Sequence, residues 1–255
     1  KGRNTPGIVT GKPVSIGGSR GRREATGKGV AFITREIAHK RGIDLEGATV
    51  AVQGFGNVGS VAAQTLHSMG SKVVAVSDVS GAIYCEDGID IPALTEYVSR
   101  HPKHLIEGYK QEGLEEIDNH ILLTSKVDFL IPAALENQIT KEIAGDVKAG
   151  IIVEAANGPT AFEADKILEK QGVILVPDIL ANSGGVTASY FEWVQNLQYT
   201  EWEESKINTT LERKMVSSFQ AVYETAIEKD TSMRTAAYIV ALSRLIEASK
   251  LRGVF

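Results

Sequence analysis

One cysteine, Cys85, is all that the 255 residues contain. An intrachain disulfide is therefore excluded, which fits a reducing compartment, and the cytoplasm is the expected location. No apolar run approaches the roughly 18 residues a membrane span needs, so no membrane partner is expected. The chain does not open with a charged segment and an apolar core, so no secretory route is expected. Asn208-Thr209-Thr210 then matches a glycosylation acceptor by chance. The five histidines do not cluster with the cysteine. His101 and His104 have no further ligand close in sequence, so no metal site is expected. Tandem repeats and low-complexity segments are also missing.

What is present is a globular composition. Hydrophobic residues make up 43% and charged residues 23%, enough to bury a sizeable core. The formal net charge of −5 argues against nucleic acid as the main partner. Basic residues concentrate at the start. Ten of them, Lys1, Arg3, Lys12, Arg20, Arg22, Arg23, Lys28, Arg35, Lys40 and Arg41, face only Glu24 and Glu36. Such a stretch either meets an anionic ligand or contacts acidic neighbours.

Apolar periodicity predicts a helix over residues 26–41, stopped by Gly42, after an irregular lead-in. A strand at 48–52, a glycine turn, a helix at 58–69 and a strand at 72–77 then form a βαβ unit. Residues 82–84 and 88–89 suggest a small hairpin, 91–99 a helix, and 100–120 carry no clear signal. Strands at 128–131, 151–154 and 173–176 alternate with helices at 141–144 and 162–170. The alternation predicts an α/β fold, a Rossmann-like doubly wound, mainly parallel sheet. Additional C-terminal helices are expected at 185–197, 203–228 and 233–249. The expected division is residues 1–200 as the sheet domain and 201–255 as a helical segment packing back on it.

The turn Gly54-Phe55-Gly56-Asn57-Val58-Gly59 is a weak motif alone and a strong one here. It follows a strand, opens a helix, and precedes an acid, Asp78, by nineteen residues. Gly54 suits the tight turn, Gly56 lets backbone approach a pyrophosphate, and Gly59 allows helix and strand to pack closely. The helix start offers free N–H groups to phosphate. Asp78 can accept from both ribose hydroxyls and would repel a 2′-phosphate. NAD is the expected cofactor, with NADP as the alternative.

Ligands in such folds lie beyond the C-terminal strand ends. Ala155-Ala156-Asn157-Gly158 and the Pro177–Gly185 segment follow two of those ends. Ala155, Asn157 and Asn182 are site candidates, and turn formation explains the two asparagines equally well. From sequence alone Thr26 reads as a helix cap and Ser189 as an interior helix residue.

Four stretches together resemble the glutamate dehydrogenases of the Glu/Leu/Phe/Val dehydrogenase family. They are Thr10–Pro13 with Gly17-Gly18-Ser19, Arg22–Gly27, Gln53–Gly59 and Pro177–Asn196. The similarity runs along essentially the whole chain, and Gly184 through Asn196 is its most specific part. The resemblance implies that Thr26 contacts the nicotinamide amide. It places Asn157 and Asn182 beside nicotinamide, ribose and substrate, and assigns Ser189 to the substrate's side-chain carboxylate. It also implies reversible oxidative deamination of L-glutamate to 2-oxoglutarate and ammonia, by homohexamers whose chains each exceed 400 residues.

The family's catalytic lysine, in a Gly-Gly-x-Lys motif, and its catalytic aspartate belong to an N-terminal domain that precedes the part matched here. No catalytic residue is therefore expected in this chain. Gly17-Gly18-Ser19-Arg20 carries arginine where lysine is needed, and arginine stays protonated. Lys28 reads as a surface lysine. The expectation is a cofactor-binding, non-catalysing monomer or dimer. Alternatives are the same domain of an apolar amino-acid dehydrogenase, or a purely structural assembly module.

Overall fold

The computed structural model describes residues 5–254. Lys1 and Arg3 of the basic stretch lie outside them. Seven strands make one sheet: β1 (Thr49–Gln53), β2 (Lys72–Asp78), β3 (Gly81–Tyr84), β4 (Glu115–Ile117), β5 (Phe129–Pro132), β6 (Ile151–Val153) and β7 (Ile174–Val176). Their spatial order is β4-β3-β2-β1-β5-β6-β7. From β2 to β7 all neighbours are parallel, while β3 and β4 are antiparallel.

The central strands read as continuous apolar runs because both faces are covered. Val50, Val52, Phe129, Ile131, Ile151 and Val153 point to one core cluster. Ala51, Leu130 and Ile152 point to the other. The first face carries α1 (Ala25–Arg41), α2 (Gly59–Ser68), α3 (Ile91–Arg100), α8 (Gly184–Gln198) and α9 (Glu204–Glu228). The second carries α4 (Asn119–Leu123), α5 (Lys141–Ala144) and α6 (Phe162–Lys170). The short α7 (Asp178–Ala181) and the last helix, α10 (Met233–Leu251), lie at the β7 end. The observed architecture is the doubly wound α/β sheet that the strand–helix alternation predicts.

Helix α9 buries Ile207, Leu211, Met215 and Phe219 in the core cluster that contains Val30, Ile33 and Ile37 of α1. The helices after residue 200 therefore share their core with the sheet.

Three local expectations need correction. The hairpin is not formed by 82–84 with 88–89. It joins β2 to β3 through Val79 and Ser80, with Asp78 opposite Gly81. Residues 88–89 only complete the β2 edge, where Ile89 N–H donates to Val73 O. The stretch without clear signal contains β4, which closes the antiparallel edge on β3. Its side chains are exposed or half-buried, so no apolar pattern marks it. Thr26 does not cap α1: the helix begins at Ala25, with Glu24 as its N-cap.

Candidate functional site

Strand order reverses between β1 and β5, because β1 leads to β2 on one side while β5, β6 and β7 extend the other. A crevice must open there at the C-terminal strand ends. A cleft of about 680 Å³ occupies that position. Thr26, Val58, Ala155, Asn157 and Asn182 line it, together with Ala133–Glu136 after β5 and Val186 of α8.

The glycine turn forms one wall. Gly54 has φ +93°, and a Cβ there would stand 2.9 Å from Ala133 O, so the turn needs glycine. A Cβ at Gly56 would meet nothing within 4 Å. Gly56 and Asn57 are exposed, Phe55 is buried, and Gly59 is buried beneath the turn. Ser60 N–H donates back to Gly56 O and Ala62 N–H to Val58 O, so the N–H groups left to face an anion are those of the turn itself, at the start of α2. An open backbone cradle at a helix start fits a pyrophosphate. On its outer side a second recess of about 350 Å³ is lined by Arg23, Phe55, Gly56, Asn57, Ser99 and His104. Arg23 Nη2 donates to Asn57 Oδ1 at 3.3 Å, bringing a cation to the glycine turn.

At the other end, Asn182 Nδ2 donates to Asn157 Oδ1 at 2.7 Å and to Ala156 O at 3.3 Å. The two asparagines thus hold each other across the strand ends. Asn182 is also the C-cap of α7, so turn chemistry and placement in the cleft coexist.

Helix α1 reaches the cleft because it packs almost backbone to backbone on α8. A Cβ at Gly184 would stand 2.2 Å from Ala25 O, and one at Gly185 2.5 Å from Thr26 Oγ1. Arg22 Nε donates to Ser189 Oγ at 2.8 Å, and that hydroxyl donates to Gly185 O at 3.1 Å. Ser189 lies outside the lining of the main cleft.

Asp78 stands at the end of β2, half-buried. Its Oδ1 accepts from Ser80 N–H at 2.7 Å and from the Ser80 hydroxyl, and its Oδ2 accepts from Ile106 N–H at 2.8 Å. Both lone pairs of Oδ1 are thus engaged, while Oδ2 keeps one.

The basic lead-in divides between the two expectations. Lys12, Lys28 and Arg35 meet acidic neighbours, respectively Glu192, Glu204 and Glu212. Arg22 and Arg23 reach Ser189 and Asn57. Lys28 is not a plain surface lysine, because its Nζ also donates to Asn208 of α9 at 3.2 Å. Glu192 is fully buried and accepts from Lys12 Nζ at 2.5 Å and Gly11 N–H at 2.8 Å. Burial pushes its carboxyl up, and the bonds from Lys12 and Gly11 outweigh this, holding it below the usual carboxylate range. Gln195 and Asn196 donate to Ser19 Oγ and Gly17 O. Part of the most distinctive stretch, Gly184 through Asn196, therefore fastens the lead-in to α8.

Sequence reading missed Ala133–Glu136. Their place depends on β5 lying beside β1, and strand order leaves no local signal. It named Arg22 and Arg23 only as part of the basic stretch, and it missed the buried Glu154. An acid directly after an apolar strand was the available hint for Glu154.

The comparisons agree with this geometry. The family model described as Glutamate/Leucine/Phenylalanine/Valine dehydrogenase matches residues 17–253. The chain is 48% identical over 250 residues to the cryptic catabolic NAD-specific glutamate dehydrogenase GudB of Bacillus subtilis, covering 98% of this chain and 57% of that protein. It is 49% identical over 255 residues to an NADP-specific glutamate dehydrogenase of Synechocystis, covering 98% and 59%. Among solved structures, glutamate dehydrogenase from Peptoniphilus asaccharolyticus superposes with a TM-score of 0.84 at 41% identity, over 98% of this chain and 58% of that one. The leucine-bound hetero-hexameric glutamate dehydrogenase of Thermus thermophilus does so with 0.86 at 34% identity, over 98% and 58%. The chain thus spans somewhat over half the length of these relatives. Sheet order, glycine turn and sequence lead to one conclusion: this chain belongs to the Glutamate/Leucine/Phenylalanine/Valine dehydrogenase family.

Proposed function

We propose that the chain is the cofactor-binding part of a glutamate dehydrogenase, holding NAD or NADP in the cleft between β1 and β5. The cleft itself carries this reading: a glycine cradle at a helix start lies at one end and a paired Asn157 and Asn182 at the other. Gly54, Gly56, Asn57, Val58 and Gly59 would seat the pyrophosphate, and Phe55 would support the turn from below. Asp78 would take the adenosine ribose. Thr26, Ala155, Asn157 and Asn182 would surround the nicotinamide. Once bound, the nicotinamide supplies the hydride acceptor.

In the whole protein the reaction would be the reversible oxidative deamination of L-glutamate to 2-oxoglutarate and ammonia. Arg22 beside Ser189 makes that corner cationic and rich in donors, which suits a side-chain carboxylate and offers nothing to an apolar one. The lining of the cleft carries one titratable side chain, Glu136. Thr26, Val58, the alanines, the asparagines and Val186 bind and orient, and Glu136 is exposed at the rim. The chain alone would therefore bind without catalysing, as a monomer or dimer, with residues 1–200 and the helices beyond them acting as one unit.

Calorimetric titration with NAD and with NADP tests the cofactor reading directly. Saturable binding of either is expected, tighter for NAD, and no binding of either at millimolar concentration would overturn it. Glutamate-dependent NADH production by the purified chain would overturn the non-catalysing part. A substrate panel on a chain restored to its relatives' length would decide the substrate, and a preference for leucine would overturn glutamate. A hexamer in light scattering would overturn the oligomeric expectation.

A further inference from the structure

Glu154 directly follows β6, and its side chain is fully buried. A carboxylate removed from water must be paired and hydrogen-bonded. Its partner comes from the far end of the chain. Arg234, in the first turn of α10, donates from Nη1 and Nη2 to the two oxygens of Glu154 at 3.0 and 2.8 Å. The same guanidinium donates from Nε and Nη2 to Asp165 of α6 at 2.7 and 3.2 Å. Nη1 also lies 3.7 Å from Asp178 Oδ1. One cation thus serves three carboxylates, in the planar two-pronged geometry that only arginine offers. Burial lowers its proton affinity, but the bonds from Glu154 and Asp165 prevail and raise it.

The network does not stop at α10. Glu154 Oε2 accepts from Asp178 N–H at 2.9 Å, and Asp178 Oδ2 accepts from Gly158 N–H at 2.8 Å. Gly158 follows Asn157, whose side chain is held by Asn182. A continuous path of polar contacts therefore runs from the last helix to the asparagine pair in the cleft. Among the described residues, none of the bonds along this path involves the glycine turn.

We propose that Arg234 is a positioning residue for the nicotinamide end of the cleft, acting through Glu154 and Asp178 on the 155–158 turn. The inference rests on the cofactor reading above. Without the guanidinium, Glu154 and Asp178 face each other uncompensated, and Asp178 must turn toward water. Gly158 then loses its acceptor and the Asn157 turn loosens. The pyrophosphate end stays intact, so the effect is confined to one half of a dinucleotide. A residue that merely anchored α10 would affect both halves alike.

The test compares NADH with ADP-ribose, which lacks the nicotinamide, on the full chain and on Arg234→Met and Asp178→Ala. Asp178→Ala removes the acceptor of Gly158 N–H and keeps Arg234 on Glu154 and Asp165, so it loosens the turn without releasing α10. Both variants are expected to weaken NADH at least about tenfold and ADP-ribose less than about twofold. Amide exchange at residues 155–158, measured without ligand, is expected to quicken at least about tenfold in both. Equal losses for the two ligands, no loss, or an effect of Arg234→Met that Asp178→Ala does not share would overturn the proposal. So would unchanged exchange in a folded Arg234→Met chain. If the unaltered chain binds neither ligand, the cofactor reading itself fails and Arg234 has no nicotinamide to position.

Discussion

Gly59 faces the carbonyl oxygen of Gly54 so closely that a methyl group on its Cα would lie 1.8 Å from that oxygen. Neither atom can yield, since one belongs to the turn and the other to the start of α2. Gly59→Ala should therefore destabilise the fold by about 3 kcal/mol or more, the upper range for overpacking. Thermal unfolding of the variant checks this. Gly56 provides the contrast, with open space where its Cβ would be. Gly56→Ala should fold with unchanged or slightly raised stability. It should lose NADH and ADP-ribose alike, because the methyl group stands where backbone must approach the pyrophosphate.

The Lys12–Glu192 pair is nearly closed to solvent, with side-chain exposures of 11% and 1%. Lys12→Met leaves a buried carboxylate with only backbone donors. The expected loss is about 3 kcal/mol, the low end for breaking a buried pair. That corresponds to a fall in Tm of roughly 6–12 °C for a chain of this size.

Glu192 also predicts an acid dependence. Its folded carboxyl titrates below the unfolded value. Its stabilisation is therefore complete above the usual carboxylate range and is lost as pH falls through the folded value. Glu192→Gln should flatten the acid limb of a Tm against pH curve, and an unchanged limb would contradict the assignment.

Asp78 Oδ1 is shared with Ser80 and Oδ2 with Ile106 N–H. Asp78→Asn preserves the shape and removes the charge. Paired titrations should show NADP gaining on NAD by about tenfold, the scale of one unit charge facing a phosphate near the surface. A ratio that does not move would remove Asp78 from cofactor discrimination.

Thr26→Val keeps the size of the side chain that abuts Gly185 and removes its hydroxyl. NADH should weaken by about 1 kcal/mol, roughly fivefold, with ADP-ribose unaffected. Equal weakening of both would place Thr26 away from the nicotinamide.

Much of the fold was legible because buried parallel strands and amphipathic helices write themselves locally. β1, β2, β6 and α9 stand within a residue or two of their expected bounds. β4 was illegible because its three exposed or half-buried residues have no apolar face. α4 and α7 are too short for periodicity to register. The glycine turn was legible because its spacing is a local geometric requirement. Ala133–Glu136, Arg22 and Arg234 were not, since each depends on a contact between distant parts of the chain. Glu154 meets Arg234 across 80 residues, and Arg22 meets Ser189 across 167.

The tie between Gly11–Lys12 and Glu192 spans about 180 residues, and it carries a consequence for synthesis on the ribosome. The lead-in emerges before the sheet, yet its anchor on α8 is made only after most of the sheet has been translated. At roughly 5–20 residues per second, those 180 residues leave a basic, glycine-rich leader waiting about 10–35 s for its acidic partner. Across that interval the nascent chain can assemble β1, α2 and β2. The lead-in can settle only once α8 has emerged, so a chain arrested before α8 would display it as a ready site for proteases.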